Sequence, residues 1–305
     1  MTPLHTAINL YLRCCEIRGL KKNTISGYKE RLTYFSNFVP ITKLEELEPQ
    51  TIESYILHLH QQPLSKATVA TYLRPVKSFL HWAESELLIS ADLELSNAVK
   101  LPRSPARKVD ILDNNQLQTL FSSIDTTDIL SVRDGLILAL MLDSGLRQNE
   151  VVQLKKNDIN LSEHTMKVYG KGDKERYVPL GKFTAALIRR YLFLSEKYRN
   201  TPEAEKYLLL DRYGSPITPN CIKLMVSKKK RNSGINFSAH KLRHNFATNY
   251  CLDEYARSGS MDIFKLKSIM GHNNIETTMV YMHLAQELIA AKTSISHLDK
   301  IKIHL

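Results

Sequence analysis

The chain has 305 residues, 43% of them hydrophobic and 24% charged, which excludes a disordered chain and leaves room for two globular domains. A formal net charge of +11 and a pI near 9.3 favour a polyanionic partner, although charge alone fits a membrane surface or RNA as well as DNA, and most of the excess lies after residue 110. Four cysteines with no C-x-x-C pair exclude a disulfide framework or a zinc knuckle; with no signal-like start and no apolar run of about 18 residues, the expectation is a soluble cytoplasmic protein without a membrane partner.

Residues 4–19 place Leu4, Ala7, Ile8, Tyr11, Leu12 and Cys15 at helical spacing, and Gly19 ends that helix. Asn23 and Thr24 can cap a second helix running to about Phe38, with Tyr28, Leu32 and Phe35 inward. Pro49 to His60 and Ser65 to Leu87 supply two more, and Pro75 is expected to kink or split the last. The region 1–95 therefore reads as a helical domain with basic residues at or near helix starts: Lys21, Lys22, Lys66, Arg74 and Lys77. Such charges are most often a solvated face.

Residues 96–110 combine two prolines, small residues and four bases (Lys100, Arg103, Arg107, Lys108) without an apolar period, which marks an interdomain linker. A second domain, 111–305, follows. Asn114 and Gln116 precede a helix to Ile124, and the apolar run Leu136 to Leu142 reads as a buried core helix stopped by Ser144-Gly145. Beside that glycine Arg147 sits at an exposed corner, and Glu150, three residues on, can hold its guanidinium. From Thr165 the period changes to two, so Met166 and Val168, the turn Gly170-Lys171-Gly172-Asp173-Lys174-Glu175-Arg176, and Tyr177 to Leu180 predict a β-hairpin with a lysine-bearing turn. A Walker loop is absent, so nucleotide hydrolysis has no support. Thr184 to Tyr198 and a segment to Lys230 read as helices; the run Lys228-Lys-Lys-Arg231 is either a solvated patch or faces phosphates. The fold class is mainly α with a small β-sheet.

The most informative stretch is Ser238 to Tyr281. His240 and Arg243, three apart on a helix, share a face and together suit an anion, and the hydroxyl of Tyr281 can attack a phosphate. Each alone is more often structural in a chain with 14 Tyr and 11 His. His240 and His244 are four apart, but Lys241 stands where a metalloprotease helix needs Glu, so no metal is expected.

His240-Lys-Leu-Arg243-His244, Gly271-His272 and Tyr281, joined to Gly-Leu-Arg147-x-x-Glu150 and the Lys171 hairpin, resemble the tyrosine site-specific recombinase (phage integrase) family. The resemblance implies a helical core-binding domain and a catalytic domain that clamp duplex DNA, with Thr24, Lys66, Thr68 and Arg74 on phosphates and grooves. It also implies that Lys21, Lys22, Arg107, Lys108 and Lys228 lie along the backbone, and that Lys171, or else Lys174, enters the minor groove beside the cleaved bond. The catalytic set would be Arg147, Lys171, His240, Arg243, His272 and Tyr281, supported by Glu150, with no metal and no cofactor. Tyr281 would form a 3′-phosphotyrosyl bond, Arg147 and Arg243 would hold nonbridging oxygens, and Lys171 would protonate the 5′-oxygen. His240 would accept the tyrosine proton or steady the phosphate. The expected partners are DNA recombination sites and further copies of the chain, as a tetramer on two duplexes with the tail after Tyr281 exchanged in trans. Integration, excision and resolution of a mobile element, plasmid or chromosome dimer all fit, and the protein would be nucleoid-associated. A type IB topoisomerase-like nicking-closing enzyme and a silent DNA-binding accessory protein are the alternatives. Two departures stand out: Asn273 follows His272 where Ser or Thr is more frequent, and residues 253–262 exceed the usual connection.

Overall fold

A computed structural model describes residues 2–103, 111–170 and 174–293; Lys171, Arg107, Lys108 and the tail beyond residue 293 lie outside the described residues. The chain divides into two compact units, residues 1–107 and 108–305.

The first unit is helical throughout its described residues. Helices α1 (Leu4–Ile17), α2 (Lys22–Phe38), α3 (Pro49–Gln61) and α4 (Lys66–Ser85) carry the apolar faces the sequence predicts, and these meet around Leu32, Phe35, Ile52, Tyr55, Leu59, Leu73, Val76, Phe79 and Leu80, all fully buried. Ser65 caps α4 by accepting a hydrogen bond from the Thr68 amide at 3.1 Å. Two local expectations are corrected: the cap of α2 and the splitting of α4. Helix α2 begins before Asn23, with Lys21 at its N-cap and no side-chain cap, so Thr24 lies in the first turn. Pro75 does not split α4, which runs unbroken from Lys66 to Ser85; the proline is buried, and the carbonyl whose partner it removes belongs to Thr71, an exposed residue. A single turn, α5 (Leu95–Ala98), closes the unit, and Leu95 and Val99 join its core. One turn is too short to show a period, which is why 96–99 read as linker.

The second unit is built around α7 (Ile129–Asp143), which follows α6 (Asn114–Ser122) and is apolar on almost every side, with Leu136 to Met141 buried. A helix buried all round needs neighbours on all sides. After α8 (Gln148–Gln153), three antiparallel strands, β1 (Ile159–Asn160), β2 (Thr165–Tyr169) and β3 (Glu175–Pro179), form a sheet in the order β1-β2-β3, with Met166 opposite Val178 and Val168 opposite Arg176. The hairpin is as expected; β1, two residues long, carries no periodic signal. Helices α9 (Lys182–Ser195) and α10 (Pro202–Lys206) follow, and then α11 (Pro219–Ser233), α12 (Ala239–Ser258), α13 (Ile263–Met270) and α14 (Glu276–Thr293). Helices α9 and α12 pack on α7, while α13 and α14 pack on α12. Ser238 caps α12 through the Lys241 amide. The long 253–262 connection is accounted for: Asp253 to Ser258 extend α12, and Gly259 ends it.

Candidate active site

Two glycines in left-handed conformation set the frame. Gly145, at φ 61° after α7, has no room for a Cβ, which would meet the Phe246 ring at 2.3 Å; Gly271, at φ 62°, closes α13. The backbone carbonyls at these two corners are taken by arginines. Arg147, the residue before α8, donates from Nη2 to the Gly271 carbonyl at 3.0 Å, and Arg243 on α12 donates to the carbonyls of Gly145 and Met270. Three segments far apart in sequence thus converge at the end of α13.

Glu150 ties the arginines together from beneath. Its carboxylate accepts the Arg147 amide (2.8 Å) and guanidinium (2.8 Å) and both Nη groups of Arg176 on β3 (2.9 and 2.8 Å), while Arg243 Nη1 lies 3.8 Å away. Burial alone would raise this carboxyl; the Arg176 hydrogen bonds and charge, with the Arg147 amide and guanidinium, overcome it and hold the group below its ordinary value. One carboxylate therefore faces three guanidiniums. Burial and the neighbouring Arg147 push Arg243 down to about 10, which leaves it charged at neutral pH. The uncompensated positive charge, with the Arg147 side chain 40% exposed, makes this an anion site.

The histidines and the tyrosine complete it. His272 Nε2 accepts from Arg243 Nη2 at 3.2 Å, so its proton sits on Nδ1 and is donated to Thr278 Oγ1 at 2.8 Å. Burial, followed by the charges of Arg243, Arg147 and Arg176, pushes His272 down to about 4, so the ring is neutral. Tyr281, one turn into α14, stacks on His272 with centroids 6.2 Å apart, and its hydroxyl shares a 2.7 Å hydrogen bond with His244 Nδ1. The exposed His240 ring lies edge-on to His244 at 4.1 Å; burial of its imidazole and the charges of Arg243 and Arg147 lower its pKa. Tyr281 is only 3% exposed. Burial raises its phenol above the usual value, and Arg243 and Arg147 act in the opposite direction.

Of the residues singled out from sequence, Arg147, Glu150, His240, Arg243, His272 and Tyr281 belong to this one cluster. Lys174 is exposed at the start of the returning strand, bordering a cavity of about 500 Å3 whose lining also includes Arg176, Lys267, Gly271 and His272. Lys228 is exposed on α11. In the other unit Lys21, Lys22, Thr24, Lys66 and Arg74 are exposed, whereas Thr68 is engaged in the cap of α4 through Ser65 Oγ at 2.8 Å. Sequence reasoning missed three members. Arg176 belongs to the hairpin motif, and period two places it on the same strand face as Val178, toward the core. For His244 the sequence offers only the i, i+4 spacing from His240, which points to a metal. Thr278 left no signal. Among the described residues no three His, Cys, Asp or Glu side chains gather as metal ligands, and no helix is long and apolar enough to cross a membrane.

Comparison with known proteins bears directly on this geometry. The sequence model of the phage integrase family matches residues 110–287, and that of the phage integrase N-terminal SAM-like domain matches residues 8–86. Tyrosine recombinase XerC of Bacillus pumilus is 29% identical, with 97% of each chain covered; tyrosine recombinase XerD of Listeria monocytogenes is 29% identical over 88% of this chain and 90% of the relative. Among solved structures, XerH bound to a palindromic difH substrate in a post-cleavage complex aligns with a TM-score of 0.71 at 24% identity, covering 92% of this chain and 82% of the other. A lambda integrase dimer (residues 75–356) bound to a COC′ core site aligns with a TM-score of 0.72 at 15% identity, covering 92% and 95%. At those identities the structural likeness is one of fold.

Proposed function

Since the chain belongs to the phage integrase family, we propose that it is a site-specific DNA recombinase that cuts and rejoins strands through a 3′-phosphotyrosyl bond to Tyr281. The observation that carries this reading is the convergence of Arg147 and Arg243 on the carbonyls that end α13, in one cluster with His272, which bonds Arg243 and stacks on Tyr281.

Rejoining without an external energy source requires that the phosphodiester energy be kept, and a covalent protein-phosphate bond keeps it. Arg147 and Arg243 bind the nonbridging oxygens, where negative charge grows; losing one such donor costs about 3 kcal/mol of barrier. His240, exposed at the rim, steadies the phosphate, and His272, held by Thr278, lends a further hydrogen bond. Lys171 of the hairpin turn protonates the leaving 5′-oxygen. With two guanidiniums and a lysine at the phosphate, the chemistry asks for no metal. Because Tyr281 is buried in the DNA-free chain, a bound duplex must open a path to its hydroxyl, which couples cleavage to assembly.

The helical domain (1–95) supplies the second half of the clamp, with Lys21, Lys22, Thr24, Lys66, Thr68 and Arg74 toward the backbone. The basic stretch from Lys100 through Arg107 and Lys108 follows phosphates as the two domains (1–95 and 111–305) close. Lys228 and Lys174 contact the duplex from the catalytic domain. Four copies act on two duplexes, each tail beyond residue 293 docking on a neighbour; a cavity of about 510 Å3 between Tyr255 of α12, Met261 in the connection after it, and Met282 and Ile289 of α14 suits apolar residues of such a tail.

The test is covalent capture. The protein is mixed with sheared DNA of its host, including the flanks of its own gene, and protein-bound 3′ ends are sequenced. A defined site with Tyr281-linked ends is expected, and Tyr281→Phe binds that site without forming the adduct. Adducts of undiminished yield with Tyr281→Phe would refute the assignment.

A further inference from the structure

The phenol that must lose a proton is shut away from solvent, and one nitrogen touches it. Tyr281 is 3% exposed, so no bulk base reaches its hydroxyl, whose recorded hydrogen-bond partner is His244 Nδ1 at 2.7 Å. The other imidazole stacked on the ring has no free lone pair, because His272 spends Nε2 on Arg243 and its Nδ1 proton on Thr278. His240 stands one turn before His244 and is exposed; its ring lies against that of His244.

From this geometry, and resting on the recombinase reading above, we infer that His244 is a further catalytic residue: its Nδ1 receives the proton of Tyr281 during strand cleavage and returns it during rejoining. In the forward step a bond forms between the Tyr281 phenolic oxygen and phosphorus and the bond from phosphorus to the 5′-oxygen breaks. The phenol proton passes to His244 Nδ1, and the leaving oxygen takes its proton from Lys171. In the reverse step the 5′-hydroxyl attacks phosphorus and returns its proton to the Lys171 amine, the bond from phosphorus to the phenolic oxygen breaks, and His244 gives that oxygen its proton back. No change of oxidation state occurs, and no co-reactant is needed.

The surroundings suit this task. The groups that face His244 are His240 and Arg243 on its own helix and Tyr281 on α14. Burial, then the charges of His240 and Arg243, pushes its pKa down to about 4, so at neutral pH the ring is uncharged with a nitrogen open to the stronger donor, the phenol. A phosphate held by Arg147 and Arg243 brings negative charge into the cluster when the imidazolium forms, and this opposes the penalty on the charged ring.

The test compares the full-length wild type with His244→Asn, whose amide oxygen reaches the Nδ1 position but takes no proton, and with His244→Ala. Single-turnover cleavage is measured on the duplex site found by covalent capture. The wild-type rate should be flat across neutral and mildly alkaline pH. His244→Asn should be slower by roughly 100- to 1,000-fold at neutral pH, with a rate that climbs about tenfold per pH unit, while its affinity for the duplex stays within about threefold. Nitrogen NMR of the DNA-free wild type labelled at histidine should show one unprotonated, hydrogen-bonded Nδ1 whose signal shifts in Tyr281→Phe. A His244→Asn enzyme with the wild-type rate and pH profile, or a protonated Nδ1 in the resting wild type, would overturn the inference. Failure of the recombinase reading looks different, since Tyr281→Phe would then still form adducts; an inert Tyr281→Phe beside a normal His244→Asn sinks the histidine alone.

Discussion

Replacing Glu150 by Gln keeps the shape of the side chain and removes the charge on which three arginines depend. In the wild type all four contacts run one way: Oε1 accepts Arg147 Nη1 and Arg176 Nη1, and Oε2 accepts the Arg147 amide and Arg176 Nη2, at 2.8 to 2.9 Å. Glutamine can keep one oxygen, but its NH2 then points at two donors, and the guanidiniums of Arg147, Arg176 and Arg243 lose their counter-charge in a site where Glu150 is 5% exposed. Removing one partner of such a buried pair costs about 3–5 kcal/mol. For a unit of this size that lowers Tm by roughly 6–20 °C. The assay has a built-in reference, because the single Trp, Trp82, lies in the core of the other unit. Far-UV circular dichroism should show the transition of residues 108–305 moving down, while Trp82 emission reports an unshifted N-terminal unit. The pH dependence sharpens the test. A carboxyl held below its ordinary value contributes stability that is full above the unfolded pKa, near 4.5, and is lost as pH falls through the lower folded value. The gap between wild type and Glu150→Gln should therefore be widest at neutral pH and close in acid. A loss under about 1 kcal/mol at neutral pH, or a gap that does not change with pH, would refute the account of Glu150 as the keystone of the arginine cluster.

Further expectations concern separate parts of the molecule. Thr278→Val removes the acceptor that fixes the His272 tautomer, and single-turnover cleavage should fall by up to about tenfold without loss of DNA affinity, the worth of one hydrogen bond. His244 and His272, both held near 4, bind fewer protons folded than unfolded, so the stability they confer is complete above about 6.5 and is lost as pH falls toward 4; urea midpoints of the wild type should drop between neutral pH and pH 5, and less so in His272→Phe. Gly145→Ala forces a left-handed alanine into the Phe246 ring and should destabilise the second unit by more than about 1 kcal/mol in a thermal melt. Lys66→Ala and Arg74→Ala should each reduce the slope of log affinity against log salt by about 1 if the helical domain grips phosphates; an unchanged slope would place those cations on a solvated face.

Much of the chemistry is legible in one dimension. Residues on adjacent helical turns meet whatever the rest of the chain does, so the pairing of His240 with Arg243 follows from spacing, and Glu150 can reach back to Arg147 because three residues span a helix's first turn. The apolar run of α7 needs no context to be read as buried, and the change of period at Thr165 announces a hairpin. Register, by contrast, is a property of two strands. That Arg176 turns toward Glu150 while Lys174 faces solvent is decided by how β3 packs on the end of α13, where Arg176 Nε also holds the Ile269 carbonyl at 2.7 Å.

By itself, then, the sequence determined the helices with a sustained apolar stripe, the hairpin, and which side chains could bind an anion, because those depend on periods and on residue chemistry. Only the tertiary structure decided that Glu150 hydrogen-bonds Arg176 as well as Arg147, that Thr278 sets the tautomer of His272, and that Tyr281 rests buried against His244. Each of these joins groups from different elements, separated by 26, 6 and 37 residues for the Arg176–Glu150, His272–Thr278 and His244–Tyr281 pairs. Over such spans no local period fixes the distance between side chains, and the packing of α8, β3, α12, α13 and α14 does.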